Sequence, residues 1–210
     1  MRHKLESLYG VDLRSALAER LGLHPGSVRF LNDADAFVLG EVGAGAGHGF
    51  SRVIGITLGT GIGSGFAIDG DLVTEGEGVP PGGEIWNFPY AGGIVEDLLS
   101  TRSLQKDYET RIGKQLSVLE IARSAAADRD AAEVFTTFGT SLGKAIRDTM
   151  AAFKPEVVVL GGGISHSANL FLPVAQSFVD DLNIRLVTSS LWDNAPLVGA
   201  GALWRKRPEL

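Results

Sequence analysis

Apolar residues in this chain gather into short runs between glycine-rich turns, and one segment carries a long helical stripe. The stripe lies in residues 131–153, where Phe135, Phe138, Leu142, Ile146, Met150 and Phe153 step by three or four, the spacing of one packed helix face. Pro155 then stops the helix. Two apolar runs, Val53-Ile54-Gly55-Ile56-Thr57-Leu58 and Val157-Val158-Val159-Leu160, read as buried strands. The first enters Gly59-Thr60-Gly61-Ile62-Gly63-Ser64-Gly65, and Phe66-Ala67-Ile68-Asp69-Gly70-Asp71 returns as its hairpin partner with a turn near Asp69-Gly70. The second enters Gly161-Gly162-Gly163, with a helix predicted over residues 168–182.

Shorter signals fill the rest. Leu13, Leu17 and Leu21 share one face of a helix over residues 13–21. A strand over 28–31 runs into Asn32-Asp33-Ala34, the start of a helix over 34–45. Helices over 94–99 and 117–126, a strand over 185–188 and a helix over 196–205 complete the pattern, while residues 76–93 read as a long irregular loop. Loops of that length in compact domains tend to carry function.

Composition narrows the chemistry. With 44% hydrophobic and 21% charged residues, the 210-residue chain is ordinary globular material. Its net charge is −6, and the basic residues cluster only at Arg205-Lys206-Arg207, so no nucleic-acid partner is expected. No apolar run reaches the roughly 20 residues of a membrane span, and Met1-Arg2-His3-Lys4-Leu5-Glu6 lacks the apolar core of a signal peptide. A cytoplasmic protein without a membrane partner is expected. Cysteine is absent, which removes disulfides, thiol nucleophiles and cysteine zinc sites. The four histidines, His3, His24, His48 and His166, lack ligand spacing and are expected at the surface, so no metal ligands are assigned. Glycine numbers 28, above the usual ~7%, and clusters beside the apolar runs, where backbone must approach something closely.

Three segments carry candidate chemistry. Asp33, at a strand-to-helix junction, either caps the helix or is placed there for chemistry. The loop of residues 58–65 is either a tight hairpin or a cradle whose N–H groups and Thr60 hydroxyl face anionic oxygens. Its order is strand, glycine loop, strand, and Ser64 and Phe66 stand where a dinucleotide fingerprint needs glycine, so a dinucleotide fold does not fit. Residues 157–165 lead a buried strand through three glycines into a helix, which suits a nucleotide or a plain crossover.

In order, Asn32-Asp33-Ala34, the loop of residues 58–65, Gly83-Glu84 and Val158 to Gly163 resemble the motifs of the ROK family (repressors, open reading frames and kinases) over nearly the whole chain. The resemblance implies an α/β fold: an RNase-H-like lobe of the actin and hexokinase class at residues 45–195, with 1–44 and a final helix at 196–210 as the remnant of a second lobe. It implies ATP-dependent phosphorylation of a hexose or amino sugar, with ATP and Mg²⁺ but no zinc. Asp33 would be the general base, since a free aspartate with pKa ~3.9 is ionised at neutral pH. Asn32, Glu84 and Asn87 would bind the sugar. Gly59, Thr60 and Gly61 would hold phosphates, and Gly162 and Gly163 would lie against the adenosine. A sugar-sensing regulator of the same family is the alternative, and a homodimer is expected.

The chain departs from the family pattern at four places. The family's first phosphate loop, aspartate-glycine-glycine-threonine, has no counterpart, so a chain lacking most of one lobe and turning over slowly is expected. The family's cysteine zinc pattern is also missing; packing of Trp86, Phe88 and Tyr90 is expected to order that loop instead. Asn87 stands where a histidine is usual, and Asp35 where an asparagine is usual.

Overall fold

In the computed structural model, which describes residues 8–206, the two apolar runs form the middle of a five-stranded sheet. β1 (Arg52–Leu58) pairs antiparallel with β2 (Ile62–Ile68) on one side and parallel with β6 (Val157–Gly161) on the other. β3 (Asp71–Val73) extends the sheet beyond β2, and β7 (Arg185–Thr188) beyond β6, giving the order β3-β2-β1-β6-β7. The turn between β2 and β3 holds Asp69 and Gly70 at φ 50° and 83°, the left-handed pair of a two-residue hairpin. A small second sheet pairs β4 (Pro89–Tyr90) with β5 (Gly93–Ile94).

Alternation explains why the central runs are apolar on both faces, with half-buried Thr57 the one polar residue in them. Ile54, Ile56, Leu58, Val158 and Leu160 join the larger core, while Val53, Val157 and Val159 join a smaller one. The larger core takes the stripe of α6 (Arg129–Met150), whose Phe138 meets Phe171 edge-on at 5.2 Å between centroids. Around it lie α3 (Val95–Leu98), α4 (Thr101–Ile112), α5 (Val118–Ser124) and α7 (Leu172–Ser177). The smaller core takes Phe37, Val38 and Val42 of α2 (Asp33–Ala44), joined by Ala195 at the start of α8 (Ala195–Lys206).

The α2–α8 crossing is close enough that a Cβ at Gly40 would run into the Ala195 carbonyl, and one at Gly199 into the Ala36 carbonyl. Buried Glu41 locks the same junction. Its carboxylate accepts hydrogen bonds from the Ser189 hydroxyl and from the N–H groups of Ala46 (2.7 Å), Leu191 (3.1 Å) and Ser190 (3.3 Å). α2, whose first turn reaches the site, is thereby fixed at its far end.

Several expectations need correction. Residues 28–31 form no strand among the described residues; the Val28 carbonyl accepts from Arg14 Nη1 at 2.7 Å instead. The helix expected over 168–182 is broken into a 3-10 turn (Gly163–Leu170), α7 and a second 3-10 turn (Asp180–Leu182). Pro173 stands in the first turn of α7, where its missing N–H is harmless, so that helix begins there and does not run on from upstream. α4 was not foreseen. α1 (Leu13–Leu21) forms as expected, capped by Asp12 and ended by left-handed Gly22, with Leu17 and Leu21 exposed. Among the described residues no helix is long and apolar enough to cross a membrane.

Candidate active site

The first wall of the site is the N-terminus of α2. Asn32 is its cap: Oδ1 accepts from the N–H groups of Ala34 (2.9 Å) and Asp35 (3.4 Å). Capping therefore falls to Asn32 and not to Asp33, which is the first helical residue. Asp33 Oδ1 accepts from Ala34 N–H at 3.0 Å, and Oδ2 has no hydrogen-bond partner among the described residues. An exposed carboxylate here sits at the positive end of the helix dipole.

The second wall is Gly59-Thr60-Gly61, which joins β1 to β2. Gly59 N–H donates to the Gly61 carbonyl at 3.0 Å, and Thr101 N–H at the start of α4 donates to the Gly59 carbonyl at 2.8 Å. The loop is thus a hairpin connection and, equally, a set of small residues open to the cleft. β6 ends beside it at Gly162, held at φ 82°, where a Cβ would stand 2.8 Å from Leu58 N and collide with the Leu58 carbonyl. Only glycine lets these two strand ends approach this closely.

The third wall is the loop carrying Glu84. Ser64 Oγ donates to the Gly83 carbonyl at 2.5 Å and accepts from Ile85 N–H at 3.1 Å, tying the loop to β2. Buried Ile85 anchors it, and Tyr90 Oη donates to Asp148 at 2.9 Å. Burial, and then that carboxylate, push the Tyr90 phenol up to about 12. Trp86 and Phe88 are each 37% exposed, so these two rings do not order the loop as expected; a hydroxyl bridge and one aliphatic anchor do.

These walls enclose a cleft of about 450 Å³ lined by Asn32, Asp33, Gly59, Thr60, Gly61, Glu84 and Gly162 together with Trp86 and Glu96. Asn87 and Gly163 are exposed but do not line it. Trp86 and Glu96 were not assigned from sequence. Glu96 looks like an ordinary acidic residue in the first turn of α3, yet its Oε2 accepts from Ile62 N–H at 3.2 Å, just after the glycine loop. Trp86 Nε1 donates to Glu84 Oε2 at 2.9 Å.

The cleft is acidic. Asp33, Glu84 and Glu96 line it, and among the described residues no lysine, arginine or histidine does. Beneath it Asp35 is 8% exposed, and burial, followed by the nearby charges of Glu84 and Asp33, pushes its carboxyl up to about 6. His24, His48 and His166 are exposed, whereas His3 lies outside the described residues. Among the described residues no three or more His, Cys, Asp or Glu side chains form a group that could hold a metal ion. A free carboxylate, small-residue loops and two further acceptors suit a neutral, hydroxyl-rich ligand beside a phosphate chain.

Comparison with known proteins identifies the family of the chain. The ROK family model matches residues 2–207. A glucokinase of Thermotoga maritima is 30% identical over 95% of this chain and 71% of its own length. An N-acetyl-D-glucosamine kinase of Pectobacterium carotovorum is 28% identical over 80% of this chain, and the match spans 60% of that relative. Among solved structures, a ROK family glucokinase from Streptomyces griseus, in complex with glucose and AMPPNP, superposes with a TM-score of 0.77 at 25% identity, covering 92% of this chain and 72% of that one. With the family model matched from residue 2 to residue 207, the chain belongs to the ROK family.

Proposed function

We propose that this cleft phosphorylates a hexose or amino sugar with ATP as donor. The carrying observation is the placement of Asp33, exposed at the α2 N-terminus, in one cleft with Gly59-Thr60-Gly61 and Glu84. The glucokinase and N-acetylglucosamine kinase relatives support the same substrate class.

In this reading a sugar hydroxyl attacks the γ-phosphorus of ATP. Its proton passes to Asp33 Oδ2, the O–P bond to ADP breaks, and the products are sugar phosphate and ADP. Asn32 spends Oδ1 on the cap, so its Nδ2 amide is the donor left for a sugar hydroxyl. Glu84 spends Oε2 on Trp86, leaving Oε1 to accept from the sugar. Glu96 adds a second carboxylate acceptor. Backbone N–H groups of Thr60 and Gly61 and the Thr60 hydroxyl hold phosphates; Gly59, whose N–H is spent on the Gly61 carbonyl, gives the chain room to pass close beneath them. Gly162 meets the adenosine, with Gly163 beside it beyond the cleft lining. Mg²⁺ would ride on the phosphate oxygens, as such ions do when few carboxylates are offered. Asn87 lies outside the lining, and nothing in this scheme depends on it.

Residues 45–195 would then be one lobe, with segments 1–44 and 196–210 turned toward a second. The exposed apolar residues Leu21, Leu23, Phe30, Leu197 and Trp204 support that division. The test is ADP release across a panel of hexoses and amino sugars. Stimulation by one sugar supports the kinase. Sugar binding by calorimetry without turnover would move the reading to a sensor.

A further inference from the structure

Trp86 touches two of the three acidic residues that line the cleft, each in a different way. Its indole N–H holds Glu84 Oε2 at 2.9 Å. Its carbonyl accepts Glu96 N–H at 3.1 Å, and Glu96 Oε2 in turn accepts Ile62 N–H of β2 at 3.2 Å. One residue therefore sets the separation of two carboxylates that would both accept sugar hydroxyls. Trp86 lines the cleft and is 37% exposed, so part of its surface is open to a ligand. Among the described residues the cleft is lined by carboxylates and by no basic side chain, which disfavours a carboxylate on the sugar itself, as in a uronic acid.

We propose that Trp86 is the specificity-determining residue of the sugar site: its ring packs against the C–H face of an uncharged pyranose while its N–H fixes Glu84 for one hydroxyl. The inference rests on the kinase reading for its setting, but the role of Trp86 is measured by sugar affinity and does not need turnover. A pyranose with equatorial hydroxyls presents an apolar face that fits an indole. An epimer with an axial hydroxyl turns polar surface to the ring and asks Glu84 to move.

Two variants separate the ring from its N–H. Trp86→Ala removes both, and sugar KM should rise roughly ten- to a hundredfold, the cost of deleting a central aromatic anchor. Trp86→Phe keeps a ring and frees Glu84; sugar KM should rise severalfold to about tenfold, as for a lost charge-assisted hydrogen bond. Trp86→Phe should also narrow the preference among D-glucose, D-mannose and D-galactose. In both variants KM for ATP should stay within twofold. Calorimetric titration with the same sugars reads affinity independently of catalysis, and Trp86→Phe serves if Trp86→Ala does not fold.

If the unaltered protein phosphorylates a sugar while both variants keep its KM and its order of preference, Trp86 is a bystander and the kinase reading stands. If the protein binds sugars without turnover, the kinase reading falls and the calorimetric affinities still judge Trp86. Absence of both turnover and sugar binding overturns both. Tighter binding of a uronic acid than of D-glucose would also sink the inference.

Discussion

Asp35→Asn should stabilise the protein at alkaline pH and not at acid pH. Asp35 stands two positions beyond Asp33, is 8% exposed, and carries a carboxyl pushed from the ordinary 3.8 to about 6, first by burial and then by Glu84 and Asp33. A carboxyl whose folded pKa lies above its unfolded pKa favours the fold while it is protonated. That contribution is fully present below about pH 4, is lost as the pH rises through about 6, and stays lost above it. Moving a carboxyl from 3.8 to about 6 corresponds to about 3 kcal/mol of lost stability at pH 8. Asparagine has no charge to bury, and the shift is already net of any pull of the helix dipole on a first-turn carboxylate. The gain expected at pH 8 is up to about 3 kcal/mol, or roughly 6–12 °C in melting temperature for a chain of this size. The assay is urea denaturation of parent and variant between pH 4 and pH 8. The gain should shrink to nothing, or reverse slightly, at pH 4. A variant no more stable than the parent at pH 8, or one whose gain is the same at both ends, would refute the reasoning.

Two further substitutions probe the frame of the site. Glu41→Ala strands the Ser189 hydroxyl and the N–H groups of Ala46, Ser190 and Leu191 in a buried junction; it should cost roughly 3–5 kcal/mol in denaturant unfolding, and a cost under 1 kcal/mol would show that water replaces the carboxylate. Gly162→Ala meets both a left-handed φ of 82° and the Leu58 backbone; it should cost about 1–3 kcal/mol from backbone strain alone and weaken ATP affinity at least tenfold, so native stability with unchanged ATP affinity would contradict the close approach at this position.

The central strands and α6 were legible because their chemistry is repetitive. Val157 to Leu160 is buried on both faces and Val53 to Leu58 nearly so, with half-buried Thr57 the one polar position in the two runs. The stripe of α6 lasts long enough to declare its period. α4 escaped because Leu104 and Tyr108 are its only buried residues and a largely polar helix resembles loop. Capping was placed one residue late because both Asn32 and Asp33 are good caps, and only the backbone decides between them. The motif residues of the cleft were visible as spacing. Glu96 was not, since its role comes from folding that brings it to Ile62, far away in the chain. Asp35 was noticed as a departure from a pattern, but the carboxylates facing it became apparent only in three dimensions.

The central claim is that Asp33 takes the proton in phosphoryl transfer and does not merely start a helix. Asp33→Asn keeps the size and leaves the Asn32 cap intact, while removing the group that can accept the proton. Turnover with the best sugar should fall by about 10²–10⁴, as for loss of a general base, and calorimetric sugar affinity should stay within severalfold of the parent. A variant that keeps more than about a tenth of the parent turnover, well short of the loss a general base should show, would contradict the account and leave Asp33 as a first-turn charge.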